Sequence, residues 1–256
     1  MNLTKHDVKR LSLLAFFIFA YSFAYLNWYR QTPLGMTPVL DGAENIILAD
    51  NIFKGTLPCE PFYRAMLYPV FLSTFRFLGF SIEDLQIIAG FTGIVFHLLN
   101  SILTGLLALQ TWKNRNAFFY AMLFYGLYPV AIFFAADPLD ITAGIFLLLI
   151  SLNLFINLLH HPKGRLATAA GLILGIGTLM RPNILPAAGI ILCLFMIKPL
   201  RKSALLAMSG LAAALVCGGL INYWFSGQFR IMPWRVLSIF MQPTTRRLTG
   251  AFFGKQ

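Results

Sequence analysis

The sequence predicts an all-α membrane protein, a polytopic transmembrane helical bundle of about seven spans with amphipathic interfacial helices in its first extracytoplasmic loop. Hydrophobic residues make up 58% of the 256 positions and charged residues only 11%, which leaves too little polar surface for a soluble domain. Several apolar runs reach the roughly 20 residues that a helix needs to cross the hydrocarbon core. The alternating segments typical of barrel strands do not occur, so helices are the predicted spanning elements.

Seven apolar runs are candidate spans, and one further segment is ambiguous. Residues 65–80 are apolar but short and contain Pro69, Arg76 and Gly79, so they can form a span or an interfacial or re-entrant segment. Residues 11–28 are long for the apolar part of a signal peptide and are interpreted as a retained first span. The seven candidates are residues 11–28, 85–112, 117–136, 139–159, 166–180, 184–197 and 203–225.

The distribution of charge predicts the topology, because basic residues in short loops stay on the cytoplasmic side. If residues 65–80 do not cross, ten basic residues share one side with a single acid, Asp7, and the other eight acids all lie on the opposite side. If that segment crosses, the asymmetry disappears. The net charge of +11 is therefore a topology signal, and no nucleic-acid partner is expected. The ten residues are Lys5, Lys9, Arg10, Lys113, Arg115, Lys163, Arg165, Lys198, Arg201 and Lys202.

This topology divides the chain into a transmembrane module and a tail. The module covers residues 1–225, with a cytoplasmic N-terminus, and the tail at residues 226–256 is expected on the extracytoplasmic side. The first extracytoplasmic loop covers residues 29–64 and continues into an interfacial or re-entrant segment at residues 65–84.

The first loop contains a predicted amphipathic helix that begins at Asp41-Gly-Ala-Glu44 and ends at Gly55, since apolar residues recur there every three or four positions. Asp41 can be the N-cap of this helix, with Glu44 as its capping-box partner. Its carboxylate can also accept a proton from a hydroxyl group or hold a divalent cation, and these roles can coexist. Asp50 and Glu60 are expected to be solvated loop charges.

Residues 61–69 place one cation and two tyrosines in an apolar segment. Arg64 can make a fork-like contact with a phosphate, or it can lie at the membrane interface beside a belt of aromatic residues. Arg76, flanked by Phe75 and Phe77, is expected to take the interfacial role.

A second group of acids lies at the outer end of the third predicted span. Asp137 and Asp140 are costly beside an apolar helix unless they are paired, hydrated or metal-bound, so both are functional candidates. Asp137 can also be a plain helix cap, with Pro138 at the first helical position. Arg181, at another outer helix end, can contact a lipid phosphate, pair with one of these acids, or end the helix together with Pro182.

Four short motifs follow one another along the chain. They are Asp41-Gly-Ala-Glu44 after the first span, Tyr63-Arg-Ala-Met-Leu-Tyr-Pro69, the acids Asp137 and Asp140 after Tyr128-Pro129, and Gly175-Ile-Gly-Thr-Leu-Met-Arg-Pro182. Their order and spacing resemble the polytopic GT-C glycosyltransferases that use polyprenyl-phosphate sugars. The resemblance is greatest to the protein mannosyltransferase and aminoarabinose transferase group, with its bacterial relatives that act on lipopolysaccharide, and it covers roughly residues 10 to 230.

The resemblance implies inverting sugar transfer from a polyprenyl-phosphate donor to a lipid, glycan or protein acceptor at the outer face of a bacterial inner membrane. Asp41 would be the general base or help to bind a metal, and Asp137 or Asp140 would be the second-loop acid. If a divalent cation, Mg or Mn, takes part, Asp41 and Asp137 would be its ligands. The other implied site residues are Arg64 and Arg181 for the donor phosphate and Glu44, Tyr63 and Tyr68 for the substrate.

Two alternatives stay open. A transporter or flippase of a lipid-linked sugar would place polar groups in mid-membrane, whereas the acids of this chain gather at the outer ends of the spans. The other alternative is an inactive, truncated glycosyltransferase, since members of the family continue through more spans and this chain stops about 30 residues after its seventh predicted span. Five basic residues in the tail either contact anionic lipid or belong to a truncated product.

Overall fold

The computed structural model describes residues 5–57, 65–196 and 200–231, and within these ranges it consists of helices and short connections without a β-strand. The all-helical prediction is confirmed. In chain order the helices are α1 (Lys5–Tyr29), α2 (Pro33–Met36), α3 (Leu40–Lys54), α4 (Leu67–Phe77), α5 (Ile82–Trp112), α6 (Arg115–Gly126), α7 (Pro129–Ala136), α8 (Ile141–His160), α9 (Gly164–Met180), α10 (Ile184–Phe195) and α11 (Arg201–Ser226).

Local sequence signals account for several helix boundaries. A capping box starts α5, where the Ser81 hydroxyl accepts from the Asp84 backbone N–H at 3.2 Å and the Asp84 carboxylate accepts from the Ser81 backbone N–H at 2.8 Å. Gly55 ends α3 with a φ of 66°, the left-handed conformation that glycine adopts at little cost. The predicted end of the first-loop helix is therefore confirmed.

Four described helices are long and apolar enough to cross a membrane, namely α1, α5, α8 and α11. The pair of α6 and α7 is a fifth candidate, bent by 56° where α6 stops before Tyr128 and Pro129 starts α7. Residues 117–136, expected as one span, are thus two helices, because proline cannot continue the hydrogen bonding of the preceding turn. Helices α9 and α10 are apolar but shorter, with 17 and 12 residues. These helices fit an integral membrane protein.

The first residues of α1, α6, α9 and α11 and the last residues of α5 and α8 meet at one end of the bundle, here called the basic end. Asp7, which is buried, accepts a hydrogen bond from Arg115 Nη1 at 3.0 Å, and Lys113 Nζ lies 3.2 Å from His160 Nε2. Asp7 is the only described acid at this end. The described basic residues there are Lys5, Lys9, Arg10, Lys113, Arg115, Lys163, Arg165, Arg201 and Lys202.

The opposite end, here called the acidic end, collects the other described acids. Tyr29 at the end of α1 donates a hydrogen bond to Asp137 Oδ1 at 3.2 Å, and Arg181 after α9 pairs with Asp140 before α8 at 2.7 Å. The segregation of charge between the two ends agrees with the pattern on which the sequence-based topology rests. The acids at this end are Asp41, Glu44, Asp50, Glu83, Asp84, Asp137 and Asp140.

Helices α3 and α4 pack on each other and cover the acidic end. Their buried apolar side chains contact the first turns of α5 and α8 and the last turn of α9, so these two short helices hold the first loop against the bundle. The buried residues of this cluster are Ile46, Ala49, Tyr68, Leu72, Leu85, Ala89, Ala143 and Met180.

Small residues bring α9 and α11 into close parallel contact. The start of α9 lies beside Leu206 and its end beside Gly218, so the two helices run in the same direction. A methyl group added at Gly171 would lie 1.8 Å from the backbone oxygen of Ala207. Glycine and alanine at such an interface let two backbones approach, as is common between helices in lipid.

Polar side chains in the middle of α5 are buried and bonded to neighbouring helices. His97 Nε2 donates to the backbone oxygen of Gly126, at the end of α6, over 3.0 Å. The Asn100 amide donates to the backbone oxygen of Thr142 in α8, also over 3.0 Å. Both side chains therefore serve helix packing, and the histidine holds a carbonyl group that the break between α6 and α7 leaves without a helical partner.

Candidate functional site

The candidate site begins in the connection between α7 and α8. Asp137 has an extended backbone and follows the last residue of α7, Pro138 is buried, and Asp140 is the residue before α8. The predicted capping role of Asp137 is wrong, because α8 starts at Ile141 and Pro138 lies in the turn before it. Asp140 occupies the cap position, although its side chain makes no capping hydrogen bond.

Asp137 lies half-buried between α1 and α3. The Tyr29 hydroxyl donates to its Oδ1 at 3.2 Å, and a methyl group at Gly42 would be 3.6 Å from the same oxygen. Burial raises the pKa of Asp137 above its ordinary value, while the hydrogen bond from Tyr29 lowers it by a smaller amount. The net effect makes this carboxylate a better proton acceptor than an exposed aspartate.

The first turn of α3 packs against this connection. The Asn45 amide donates to the backbone oxygen of Pro138 at 3.0 Å, and Gly42 lies against the ring of the same proline. Asp41 directly precedes Gly42, so the structure places it at the rim of the turn that carries Asp137, with Glu44 one turn further along α3. Both acidic side chains are exposed.

The predicted capping box at Asp41 and Glu44 is not formed. Helix α3 begins one residue earlier than expected, and its N-cap is Val39, which makes no side-chain capping bond. Asp41 therefore lies within the first helical turn, where a negative charge is favourable beside the positive end of the helix dipole. Its carboxylate does not serve as the cap of its own helix.

Arg181 and Tyr68 complete the described part of the site. Arg181 Nη1 lies 2.7 Å from Asp140 Oδ1, which confirms the predicted pairing of this arginine with one of the second-loop acids. Tyr68 in α4 is buried, and its pKa is raised mainly by burial and further by the negative charges of Asp140 and Asp137. The tyrosine thus lies within electrostatic reach of both acids, and Tyr63 and Arg64 lie outside the described residues.

An apolar groove opens beside Pro182, the residue after Arg181. It runs between α4, α9 and the end of α11, and its walls include Met66, Val70, Leu179 and Ile221. Three polar residues, Thr178, Asn222 and Arg230, also line this groove.

A fold-back of the chain after α11 closes one side of the groove. Gly227 takes a left-handed conformation with a φ of 69°, and the Asn222 amide donates to the backbone oxygen of Arg230 at 3.0 Å. This arrangement brings Arg230 to a wall that is mostly apolar. Arg230 was not predicted as a site residue, since it lies in a tail in which several basic residues occur without a distinguishing pattern.

An ion cluster around one buried carboxylate joins α3 to α4. Asp50 is only 4% exposed, and its Oδ1 accepts a hydrogen bond from Arg76 Nε at 3.0 Å. Arg76 Nη2 lies 3.0 Å from the same oxygen, and Lys54 Nζ lies 2.5 Å from Oδ2. The Arg76 guanidinium also lies 4.8 Å from the centre of the Phe53 ring. Hydrogen bonding from Lys54 is the largest cause that holds the pKa of Asp50 below its ordinary value.

Two sequence-based expectations therefore need correction. Asp50 is not a solvated loop charge, because its position one turn after Ile46 puts it on the face of α3 that packs against α4. Arg76 lies among aromatic residues as expected, but its guanidinium binds Asp50 and the backbone oxygen of Phe80. Glu60 lies outside the described residues.

Within the described ranges, no three His, Cys, Asp or Glu side chains come together as ligands for a metal ion. A cation held by Asp41 and Asp137 therefore stays a prediction. Comparisons of the chain with family models, with curated proteins and with solved structures find no match. The resemblance to GT-C glycosyltransferases likewise stays a prediction from the sequence motifs.

Proposed function

We propose that this protein is a membrane glycosyltransferase that moves a sugar from a polyprenyl-phosphate donor to a hydroxyl group of a lipid, glycan or protein acceptor. One observation supports the proposal. One end of the bundle brings together Asp137, the Asp140–Arg181 pair and the first turn of α3, beside an apolar groove. Such a site can hold a charged head group and an apolar tail at the same time.

The proposed membrane arrangement follows the segregation of charge. The protein would cross a bacterial inner membrane seven times, with α6 and α7 as one bent span, α9 and α10 as short spans, and α3 and α4 at the interface. Short spans are tolerated if the bilayer thins locally. The basic end would then be cytoplasmic and the acidic end, with the active face, extracytoplasmic.

The proposed reaction is an inverting displacement. The acceptor oxygen attacks the anomeric carbon, the bond from that carbon to the phosphate oxygen breaks, and the polyprenyl phosphate leaves with the bonding electron pair. Asp41 takes the proton of the acceptor hydroxyl as general base. Arg181, together with Arg64, balances the negative charge that develops on the phosphate. If Mg or Mn takes part, it would bind Asp41 and Asp137.

The groove offers a path for the polyprenyl chain. Its wall is formed by side chains of α4, α9 and α11 and opens next to Pro182, so a lipid tail in the groove would hold its phosphate near Arg181. Arg230 on the same wall adds a second cation near the proposed phosphate position. Placement of the donor by its tail would lower the entropic cost of orienting the reacting groups.

The test is sugar transfer by the purified protein in proteoliposomes with a polyprenyl-phosphate sugar and a hydroxyl acceptor. Asp41→Asn is expected to lower the rate by about 100-fold or more, since a general base commonly contributes that much. Glu83→Gln is the matched control, because it also removes an exposed acid at the acidic end but lies at the start of α5. Full activity of Asp41→Asn would exclude Asp41 as the base.

The same proteoliposomes distinguish the two alternatives. A flippase would move a labelled lipid-linked sugar across the bilayer without turnover, whereas an inactive glycosyltransferase would bind the donor and transfer nothing. The buried polar residues His97 and Asn100 support the transferase over the flippase, because each is bonded to a backbone carbonyl of a neighbouring helix.

A further inference from the structure

A second pocket lies at the basic end, at the turn between α8 and α9 and far from the candidate site. It is here called the turn pocket. Cationic and other hydrogen-bonding side chains form one part of its lining, and apolar side chains from the first two turns of α9 form the rest. The lining residues are Asn157, His161, Lys163, Arg165, Leu166 and Ala169.

The positive charge of the turn pocket is not balanced by described acids. No acid lines it, and neither Lys163 nor Arg165 forms an ion pair with a described residue. Asp7, the one described acid at the basic end, is already bound to Arg115. The pocket therefore presents two adjacent cations to any anion that can reach it.

The first turn of α9 adds backbone N–H groups, which are uncharged hydrogen-bond donors, to the turn pocket. Lys163 is the N-cap of α9, and its side chain makes no capping hydrogen bond. The first backbone N–H groups of a helix have no partners within the helix, and they favour an anion at this position. A basic side chain on each side of them gives the donor arrangement that suits a phosphate group.

The apolar part of the lining indicates what carries the phosphate. Leu166 and Ala169 lie on the side of the pocket that continues into the apolar body of α9. A free phosphate ion would gain nothing from these side chains, whereas the glycerol and first acyl carbons of a lipid would bury apolar surface against them.

We propose that the turn pocket binds the phosphate of an anionic phospholipid. The site is separate from the proposed transfer site, since Arg181 and the acids lie at the opposite end of the bundle. It does not depend on the proposed enzymatic activity. The lipid would hold the turn between α8 and α9 at the membrane surface through charge and apolar contact together.

The experiment measures lipid retention by native mass spectrometry of the full-length protein in detergent, titrated with phosphatidylglycerol or phosphatidylcholine. The wild-type protein is expected to retain phosphatidylglycerol in preference to phosphatidylcholine. The double variant Lys163→Gln/Arg165→Gln is expected to bind phosphatidylglycerol about 30-fold more weakly, since each basic residue near a membrane surface contributes roughly fivefold.

The matched control is Arg201→Gln/Lys202→Gln, which removes the same charge at the start of α11 without changing the lining of the pocket. This control is expected to bind phosphatidylglycerol within about threefold of the wild type, because in detergent cations outside the pocket act on a bound lipid only through long-range attraction that salt screens. Equal losses in both double variants would assign retention to diffuse positive charge and overturn the proposal, as would no loss in the first variant.

A second arm separates lipid from free phosphate. Inorganic phosphate at equal concentration is expected to leave bound phosphatidylglycerol in place, and efficient displacement would overturn the assignment to a lipid. If the first double variant does not fold, the single variants Lys163→Gln and Arg165→Gln are each expected to weaken binding about fivefold. The charge-retaining variant Lys163→Arg/Arg165→Lys is expected to keep most of the binding.

Discussion

The Arg181 guanidinium and the Asp140 carboxylate form an ion pair in which Nη1 lies 2.7 Å from Oδ1. The pair joins the end of α9 to the start of α8, two helices that also meet where Gly144 packs against the arginine stem. An aspartate that holds one side of a guanidinium fixes its plane and leaves its other donors for a second anion. The pair is therefore suited to position a cation for the phosphate of the proposed donor.

If Arg181 binds the donor phosphate, Arg181→Gln will weaken donor binding in the transfer assay. Loss of a hydrogen bond to a charged group costs about 1.5–3 kcal/mol, which corresponds to roughly 10- to 150-fold in affinity. The measurement is donor affinity in the wild-type and Asp140→Asn backgrounds. A phosphate contact predicts that Arg181→Gln remains costly in the second background, whereas a purely structural ion pair predicts no further loss there.

The Asp50–Arg76 contact is expected to stabilise the packing of α3 on α4. Asp50→Asn leaves two cations beside a buried amide, and breaking this partly exposed pair should cost about 2 kcal/mol, less than a fully buried one. The melting temperature in detergent should fall by about 4–8 °C.

Lys54→Gln is the control for the same cluster. Lys54 contributes most to lowering the pKa of Asp50, but its side chain is 55% exposed, so solvent screens the contact and its loss should cost little stability. The melting temperature should therefore change by only about 2 °C or less. Equal effects of the two substitutions would contradict a stabilising role for the contact between Asp50 and Arg76.

Sequence patterns predicted the elements that have a local signal. The helix ending at Gly55 follows from its apolar repeat and its glycine, and both appear in α3. The run at residues 117–136 was predicted as one helix because its apolar character continues through Tyr128-Pro129. Hydropathy measures only how apolar a run is, whereas the helix breaks because proline lacks a backbone N–H. The apolar pattern therefore did not predict the bend between α6 and α7.

The candidate site was predictable in part, for a related reason. Asp137, Asp140 and Arg181 were found because charged residues at the ends of apolar helices are costly without partners. Tyr29 and Asn45 were missed, since a tyrosine at a span end is typical of any membrane helix and one asparagine in a short helix is unremarkable in pattern. Their roles depend on contacts between residues about 90 or more positions apart, which one sequence does not display.

The interface between α9 and α11 should not tolerate an added methyl group. Gly171→Ala would bring that methyl to 1.8 Å from the Ala207 backbone oxygen, so the two helices must separate. Overpacking of this kind costs about 1–3 kcal/mol, and the melting temperature should fall by about 2–12 °C.

Gly189→Ala in α10 is the matched control for this substitution. No atom of a described residue lies within 4 Å of a methyl group at Gly189, and alanine favours a helix over glycine by up to about 1 kcal/mol. Its melting temperature should be unchanged or slightly higher. A decrease equal to that of Gly171→Ala would mean that the loss does not come from the contact between α9 and α11.

The hydrogen bond from Tyr29 to Asp137 should be visible in the pH dependence of sugar transfer. The hydroxyl stabilises the charged carboxylate and so lowers its pKa, which means that Tyr29→Phe raises the pKa of Asp137 further. If transfer needs Asp137 ionised, the acidic limb of the pH–rate profile should move to higher pH in this variant. The phenyl ring keeps the edge contact with Phe133, where the ring centres lie 5.7 Å apart, so packing is retained.

Tyr120→Phe, at an exposed position on α6, is the matched control and should leave the pH–rate profile unchanged. A shift toward lower pH in Tyr29→Phe, or an equal shift in both variants, would contradict the proposed coupling between the hydroxyl and the carboxylate.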